Sequence, residues 1–205
     1  DQDGEALTLD ADGEGSFKDY VMSFVLASAT KEKATHDSQN RLSDLAVAGS
    51  AIEEQDYISY EGAQASQLDV DAYVARITRM KPVPAFDALA LNSPENEEFG
   101  DDKVMARHFT DFSLHHSKAG GKKADASVIR LLNPTAFIGE CDTTKHWRIR
   151  HGAFDRDTSI AIPVILATLL KNKGYDVDFA LPWGLPHSGD YDLKEAFAWI
   201  DQIAK

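Results

Sequence analysis

The sequence predicts an α/β fold, and three observations carry the prediction. Residues 146–151, "HWRIRH", read as one strand and residues 176–183, "DVDFALPW", as another. Between them lies "TSIAIPVILATLLKNKG", and after them "YDLKEAFAWIDQIAK", both with a helical apolar face. Strand, helix, strand, helix is a βαβ unit, which implies a parallel pair. Two parallel strands are not a stable sheet by themselves. They need neighbours that this chain does not obviously supply.

The elements follow in order. The opening sixteen residues read as a polar loop. "SFKDYVMSFVLASATKEK" then places Phe17, Tyr20, Val21, Phe24 and Val25 at helical spacing. Ser16, with Asp19 three residues on, resembles a capping box in which Asp replaces Glu or Gln. "SQNRLSDLAVAG" predicts a second short helix ending at Gly49, and residues 50–68 read as irregular and polar. "DVDAYVARITRM" puts Val70, Tyr73, Val74 and Ile77 on one helical face, capped by Asp69 or Asp71. That helix must stop before Pro82, because a residue preceding proline is driven out of the α region. Residues 81–102, rich in Pro, Asn and acid, read as an ordered functional loop or a surface excursion. "ADASVIRLL" predicts a helix closed by Asn133-Pro134. Residues 146–151 look like a buried strand. The helix after it ends at Gly174 as a C′ glycine behind Lys171 and Lys173, with Pro163 early enough to be tolerated.

Bulk composition excludes several classes. The chain carries 34 acidic and 21 basic residues, a formal charge of −13, so nucleic acid and anionic membrane would be repelled. At 43% apolar residues it can bury a core. Cys141 is the sole cysteine, which rules out an internal disulfide. With no CxxC or Cys/His spacing, no metal site is expected, and no motif calls for a cofactor. There is no run of 18 apolar residues to span a bilayer. The acidic N-terminus is not a signal peptide and lacks an initiator methionine. A processed or truncated product is therefore expected, with the compartment left open.

Ligands of open α/β sheets gather beyond the carboxyl ends of the strands. The first strand end carries Asp155 and Asp157, and the second carries His187. A carboxylate after one strand and a histidine after the next is the Asp…His half of a hydrolase triad. The histidine takes a proton from the nucleophile; the aspartate fixes its tautomer and stabilises the imidazolium. Taken singly, Asp155 and Asp157 could be helix caps and His187 a loop histidine. Their order and shared placement favour the functional reading. The nucleophile is missing: no G-x-S-x-G occurs, and Ser50 and Ser188 lie outside any strand-to-helix elbow. The carboxylates would serve a group outside this chain.

"KHWRIRHGAFDRDTS", "NKGYDVDFALPWGLPHSGDYDL" and "KPVPAFDALALNSPENEEFG" closely resemble the C-terminal half of bacterial tannases of the Lactobacillus type. The resemblance covers roughly residues 70–205, dense over 133–200 and thin before 70. It implies the C-terminal part of an α/β-hydrolase with a mainly helical lid inserted in the sheet. Residues 1–131 would be the distal part of the lid, and 132–205 the last strands and helices of the hydrolase core. Carried over by position, Asp155 resembles the triad acid and His187 the base. Lys81, Glu95 and Asp157 match residues that hold the three phenolic hydroxyls of a galloyl ring. "SPENEE" also offers Glu97 and Glu98; the position relative to "KPVPAFDAL" favours Glu95. The implied activity is hydrolysis of galloyl esters by a serine esterase. The implied partner is an N-terminal fragment carrying the serine. A related feruloyl or other aromatic carboxylesterase, or a non-catalytic remnant, are the alternatives.

Other residues read as structural. His115-His116 lacks carboxylates at ligand spacing, and "KAGGKK" reads as a flexible solvated loop. Arg148 and Arg150 should share a strand face with His146 and form a structural ion pair. His151 would pack behind the two aspartates. Trp147 and Trp199 read as core, Trp183 as a candidate pocket wall and Cys141 as a buried small residue.

Overall fold

A computed structural model describes residues 1–39, 56–78, 81, 83–187 and 191–204, with the side chains of 36–39 excepted. The predicted helix at 38–49 lies outside the described residues, save for its first two positions. The elements are α1 (Ser16–Gln39), β1 (Ile58–Glu61), β2 (Gln64–Leu68), α2 (Val70–Ile77), α3 (Pro94–Glu98), α4 (Asp111–His115), α5 (Ala126–Leu131), β3 (His146–Arg150), α6 (Ala161–Asn172), β4 (Asp176–Ala180) and α7 (Leu193–Ile203). A single 3₁₀ turn, Pro134–Phe137, follows α5. Two compact units result: residues 1–79 with 143–205, and residues 80–142.

In the first unit β3 and β4 pair in parallel, from His146 opposite Asp176 to Arg150 opposite Ala180, with α6 as the crossover. This is the predicted βαβ unit. Gly174, at φ +82°, closes α6 as its C′ residue and donates to the Lys171 carbonyl at 2.9 Å. β3 is half-buried along its length rather than buried, because β4 is its one partner among the described residues. Trp147 and Trp199 are likewise half-buried. Trp183 instead enters the core, stacked on Tyr73 at 6.5 Å and edge-on to Phe154 at 5.4 Å.

Helix α1 runs further than its periodicity suggested and buries Val21, Val25 and Ala29 one turn apart. Phe24 meets Phe179 of β4 at 5.4 Å, the Tyr20 hydroxyl meets Thr168 of α6 at 3.0 Å, and the Ser28 hydroxyl donates to the Leu181 carbonyl. The anticipated capping box does not form. Ser16 Oγ accepts the Thr8 N–H at 2.9 Å, and the Asp19 N–H goes to the Gly15 carbonyl at 3.3 Å. Residues 58–68, expected to be irregular, form an antiparallel hairpin closed by Gly62-Ala63. Gly62 at φ +63° supplies the positive φ that a two-residue hairpin loop requires. Asp69 caps α2, its carboxylate accepting the Ala72 N–H at 3.0 Å, and Thr78 ends the helix. The predicted face is split: Tyr73 is buried while Val74 is exposed. Outward-facing Ile162, Ile165 and Leu169 on α6 and Phe197 and Ile200 on α7 remain exposed.

The second unit holds α3, α4 and α5 around a largely polar interior of Asp87, Asn96, His108 and Ser113. The loop at 83–110 is ordered by this network. Asp87 Oδ1 accepts from Asn96 Nδ2 at 2.8 Å and pairs with His108 Nδ1 at 2.7 Å. Its Oδ2 accepts the N–H groups of Phe109 (2.9 Å) and Thr110 (2.7 Å) and the Thr110 hydroxyl (2.8 Å). "KAGGKK" is not wholly free, since His108 bridges in parallel to Lys123. Cys141 is exposed, not buried, in the irregular link ahead of β3.

Candidate active site

The site grows from the end of β3. After Arg150 the chain turns through Gly152 and hydrogen-bonds to the chain leaving β4. His151 N–H donates to the Ala180 carbonyl at 3.3 Å, Ala153 N–H to Pro182 at 2.9 Å and Phe154 N–H to Leu185 at 2.9 Å. Only glycine fits at 152: a Cβ there would stand 2.2 Å from the Leu185 carbonyl oxygen and 2.4 Å from that of Pro186. The Tyr73 hydroxyl of α2 donates to the Ala153 carbonyl, so a distant helix braces the same turn.

That turn delivers Asp155, which is 4% exposed. Its Oδ1 accepts the N–H groups of Asp157 at 2.7 Å and Thr158 at 2.9 Å, just ahead of α6. Its Oδ2 meets His187 Nδ1 at 2.9 Å. Burial works against the charge on Asp155. The Thr158 and Asp157 N–H groups and the His187 imidazole outweigh it and hold the carboxyl below its ordinary range. With Nδ1 tied to a carboxylate, Nε2 is the ring nitrogen left for proton transfer, on a side chain 51% exposed. The buried His151 packs behind the turn, its Nε2 3.6 Å from the same Asp155 oxygen, and burial pushes its pKa down.

A cavity of about 460 Å³ opens on this pair, lined among others by His151, Gly152, Thr158, Tyr191 and Asp192. Asp157 is half-exposed, and its carboxylate lies within 4.8 Å of ligand atoms of both Asp155 and His187. The three groups have the spread of a metal site. Both Asp155 oxygens are already engaged by N–H groups and imidazole, so the arrangement is that of a hydrogen-bonded dyad.

Lys81 and Glu95 come together in the other unit, Nζ to Oε1 at 3.5 Å, with the ammonium 4.6 Å over the Phe86 ring. Glu97 and Glu98 are exposed, so Glu95 is the glutamate of "SPENEE" that faces the lysine. Burial opposes its charge, but its own N–H, the Ser93 hydroxyl and Lys81 keep the carboxyl below its usual value. The five predicted residues thus fall into two groups, Asp155–Asp157–His187 and Lys81–Glu95, in different units.

Sequence reasoning missed Asp87 and His108. His108 Nε2 meets Ser117 Oγ at 2.8 Å, so Asp87, His108 and Ser117 repeat a triad's contacts. Asp87 is saturated by five donors and His108 is fully buried. Ser117 Oγ also accepts the Ala119 and Gly121 N–H groups, at 3.3 and 3.4 Å. The trio is a loop clamp, and only an "FD…HFT" spacing of 21 residues could have hinted at it.

Solved structures similar to this chain include tannases. A tannin acyl hydrolase in complex with ethyl gallate is 46% identical over 99% of this chain, with a TM-score of 0.83. A Lactobacillus plantarum tannase in an orthorhombic crystal is 45% identical over 99%, TM-score 0.84. The Fusobacterium nucleatum tannase is 40% identical over 100%, TM-score 0.83. The chain is of the tannase type. It spans 42%, 41% and 42% of the lengths of those three tannases respectively. No protein-family model and no curated protein matches it. A further tannase relative was solved with 3,4-dihydroxybenzoate. No helix among the described residues is long and apolar enough to cross a membrane.

Proposed function

We propose that this chain is the C-terminal part of a tannase-type serine esterase that hydrolyses galloyl esters. The observation that carries the reading is the 2.9 Å contact between Asp155 and His187 at the ends of adjacent parallel strands, in a chain 46% identical to a tannin acyl hydrolase. The fold in this reading is an α/β-hydrolase with an inserted helical lid. Residues 132–205 are the last strands and helices of the core, and residues 1–131 the distal lid. The compact units divide the chain differently, the first 79 residues grouping with 143–205.

The serine comes from an N-terminal segment or partner polypeptide. His187 Nε2 takes its proton as it attacks the ester carbonyl, and Asp155 holds Nδ1–H and stabilises the imidazolium. The imidazolium returns the proton to the leaving alcohol. Water, activated by the same base, then releases gallic acid from the acyl-enzyme. Lys81, Glu95 and Asp157 engage the three phenolic hydroxyls. Carboxylates accept from phenol O–H groups, and an ammonium donates to phenol oxygens. A site built for hydroxyls rejects rings lacking them, because its own polar groups are then left unpaired.

The test pairs this chain with the serine-bearing polypeptide and compares methyl gallate, methyl ferulate and a nitrophenyl ester. Wild-type protein should favour methyl gallate. Asp157→Ala should lose that preference and still cleave the nitrophenyl ester. Equal loss on both counts against the hydroxyl clamp. Preferred turnover of methyl ferulate points to the related aromatic carboxylesterase, and absence of turnover on all three substrates to a non-catalytic remnant.

A further inference from the structure

We infer that Asp192 is a positioning residue for His187, tying the far end of the histidine loop to β3 through Arg148 and Arg150; the inference rests on the dyad reading above. Asp192 stands at the N-cap of α7, where an aspartate ordinarily accepts an N–H of the first helical turn. It makes no such bond. Its carboxylate instead takes Arg148 Nη2 at 2.7 Å, Arg148 Nη1 at 3.3 Å and Arg150 Nε at 2.8 Å. Both arginines are largely buried, and both also reach Asp178 of β4, Arg150 at 2.6 Å and Arg148 at 3.3 Å.

To reach them Asp192 sits at φ +54°, ψ 34°, in the left-handed region that side chains with a Cβ avoid. Such a conformation persists where its surroundings over-determine it, and it is a pointer to function.

The near end of the loop is fixed by the same region. The Leu185 carbonyl accepts the Phe154 N–H at 2.9 Å, and Gly152 lies flat against Leu185 and Pro186. His187 therefore lies between two anchors, Leu185 before it and Asp192 after it, and both lead back to β3 and its turn. On this inference the strand that delivers the acid also helps to locate the base, whose contact with Asp155 is 2.9 Å.

The experiment uses this chain together with the serine-bearing polypeptide. Asp192→Gly removes the tether and relieves the backbone, since glycine accepts a positive φ without cost. Melting temperature should fall, because two largely buried arginines lose a partner; kcat, measured well below the transition, should fall about 10- to 100-fold, the cost of a misplaced catalytic group. KM should stay within about twofold. Asp192→Asn keeps an acceptor for the arginines and should restore part of the lost kcat. A kcat for Asp192→Gly within about twofold of wild type overturns the inference, as does a loss confined to KM. Should Asp192→Gly not fold, Arg150→Met reads the same link from the β3 side, and wild-type kcat there overturns it equally. Asp155→Asn separates the two levels. If it leaves turnover intact, the dyad reading fails. If it abolishes turnover while Asp192→Gly does not lower kcat, the tether alone is wrong.

Discussion

Gly152→Ala tests the geometry of the site with one methyl group. The added Cβ would stand 2.2 Å from the Leu185 carbonyl oxygen and 2.4 Å from that of Pro186, where Cβ contacts under 3.0 Å are essentially never seen. Both obstacles are backbone, so no side chain can swing aside. The histidine loop must retreat by about 0.8 Å at least, the gap between 2.2 and 3.0 Å. His187 follows Pro186 directly. Carried through in full, that retreat stretches the 2.9 Å dyad contact to about 3.7 Å, outside hydrogen-bond range. The expected outcome is a kcat loss of about 100-fold for ester hydrolysis. Destabilisation of about 1–3 kcal/mol, as for other overpacked sites, should accompany it. On the proposed reading, steady-state kinetics on methyl gallate with the serine-bearing polypeptide present, beside urea unfolding followed by tryptophan emission, read the two effects separately. Wild-type kcat together with an unshifted unfolding midpoint would refute the reasoning, because the loop would then yield without disturbing the dyad.

Two further outcomes are expected. Tyr73→Phe keeps the ring stacked in the core but strips the Ala153 carbonyl of its donor, which should cost about 1–3 kcal/mol in urea unfolding; an unchanged midpoint means water or another donor replaces the hydroxyl. Asp87 is held below the ordinary carboxylate range because His108, Thr110 and the Thr110 and Phe109 N–H groups outweigh its burial. A depressed folded pKa means stabilisation that is complete above the unfolded value, about 3.9, and is lost as pH falls through the folded one. Protection of the Phe109 and Thr110 amides, measured against the intrinsic exchange rate at each pH, should therefore hold down to about pH 4 and fall below it; Asp87→Asn should lack that protection throughout, and protection persisting in that variant would show the carboxylate is not what holds the loop.

The parts of the site that were legible in the sequence share a cause. Asp155 follows the alternating run "HWRIRH" that ends at Gly152, His187 follows the mainly apolar run "FALPWGLP", and the helix between them has a strong periodicity and a glycine stop, so strand ends could be located. The hairpin at 58–68 escaped because "QASQL" lacks apolar alternation and that of "ISYE" lasts only four residues; Gly62 at a two-residue loop was the other signal. Ser16 carried a capping pattern, yet Thr8 claimed its hydroxyl, a contact eight residues away that local pattern does not encode. The same limit hid Asp87 and His108. Their unit has a polar interior, and polar partners 21 residues apart leave no periodic trace. Burial was over-read in β3, Trp147 and Cys141 because composition reports what a residue tolerates rather than how many neighbours it finds.

Asp155 and His187 stand 32 residues apart, in the turns that follow two neighbouring strands joined by one crossover. Their contact is made by the turns that trail two strands spaced about 4.8 Å apart, as in any sheet. That makes β3, α6 and β4 with their trailing turns a cassette. On the proposed reading, transplanting it into another doubly wound scaffold with the parallel register kept would bring a preformed Asp–His pair and leave the host to furnish the nucleophile and the oxyanion hole.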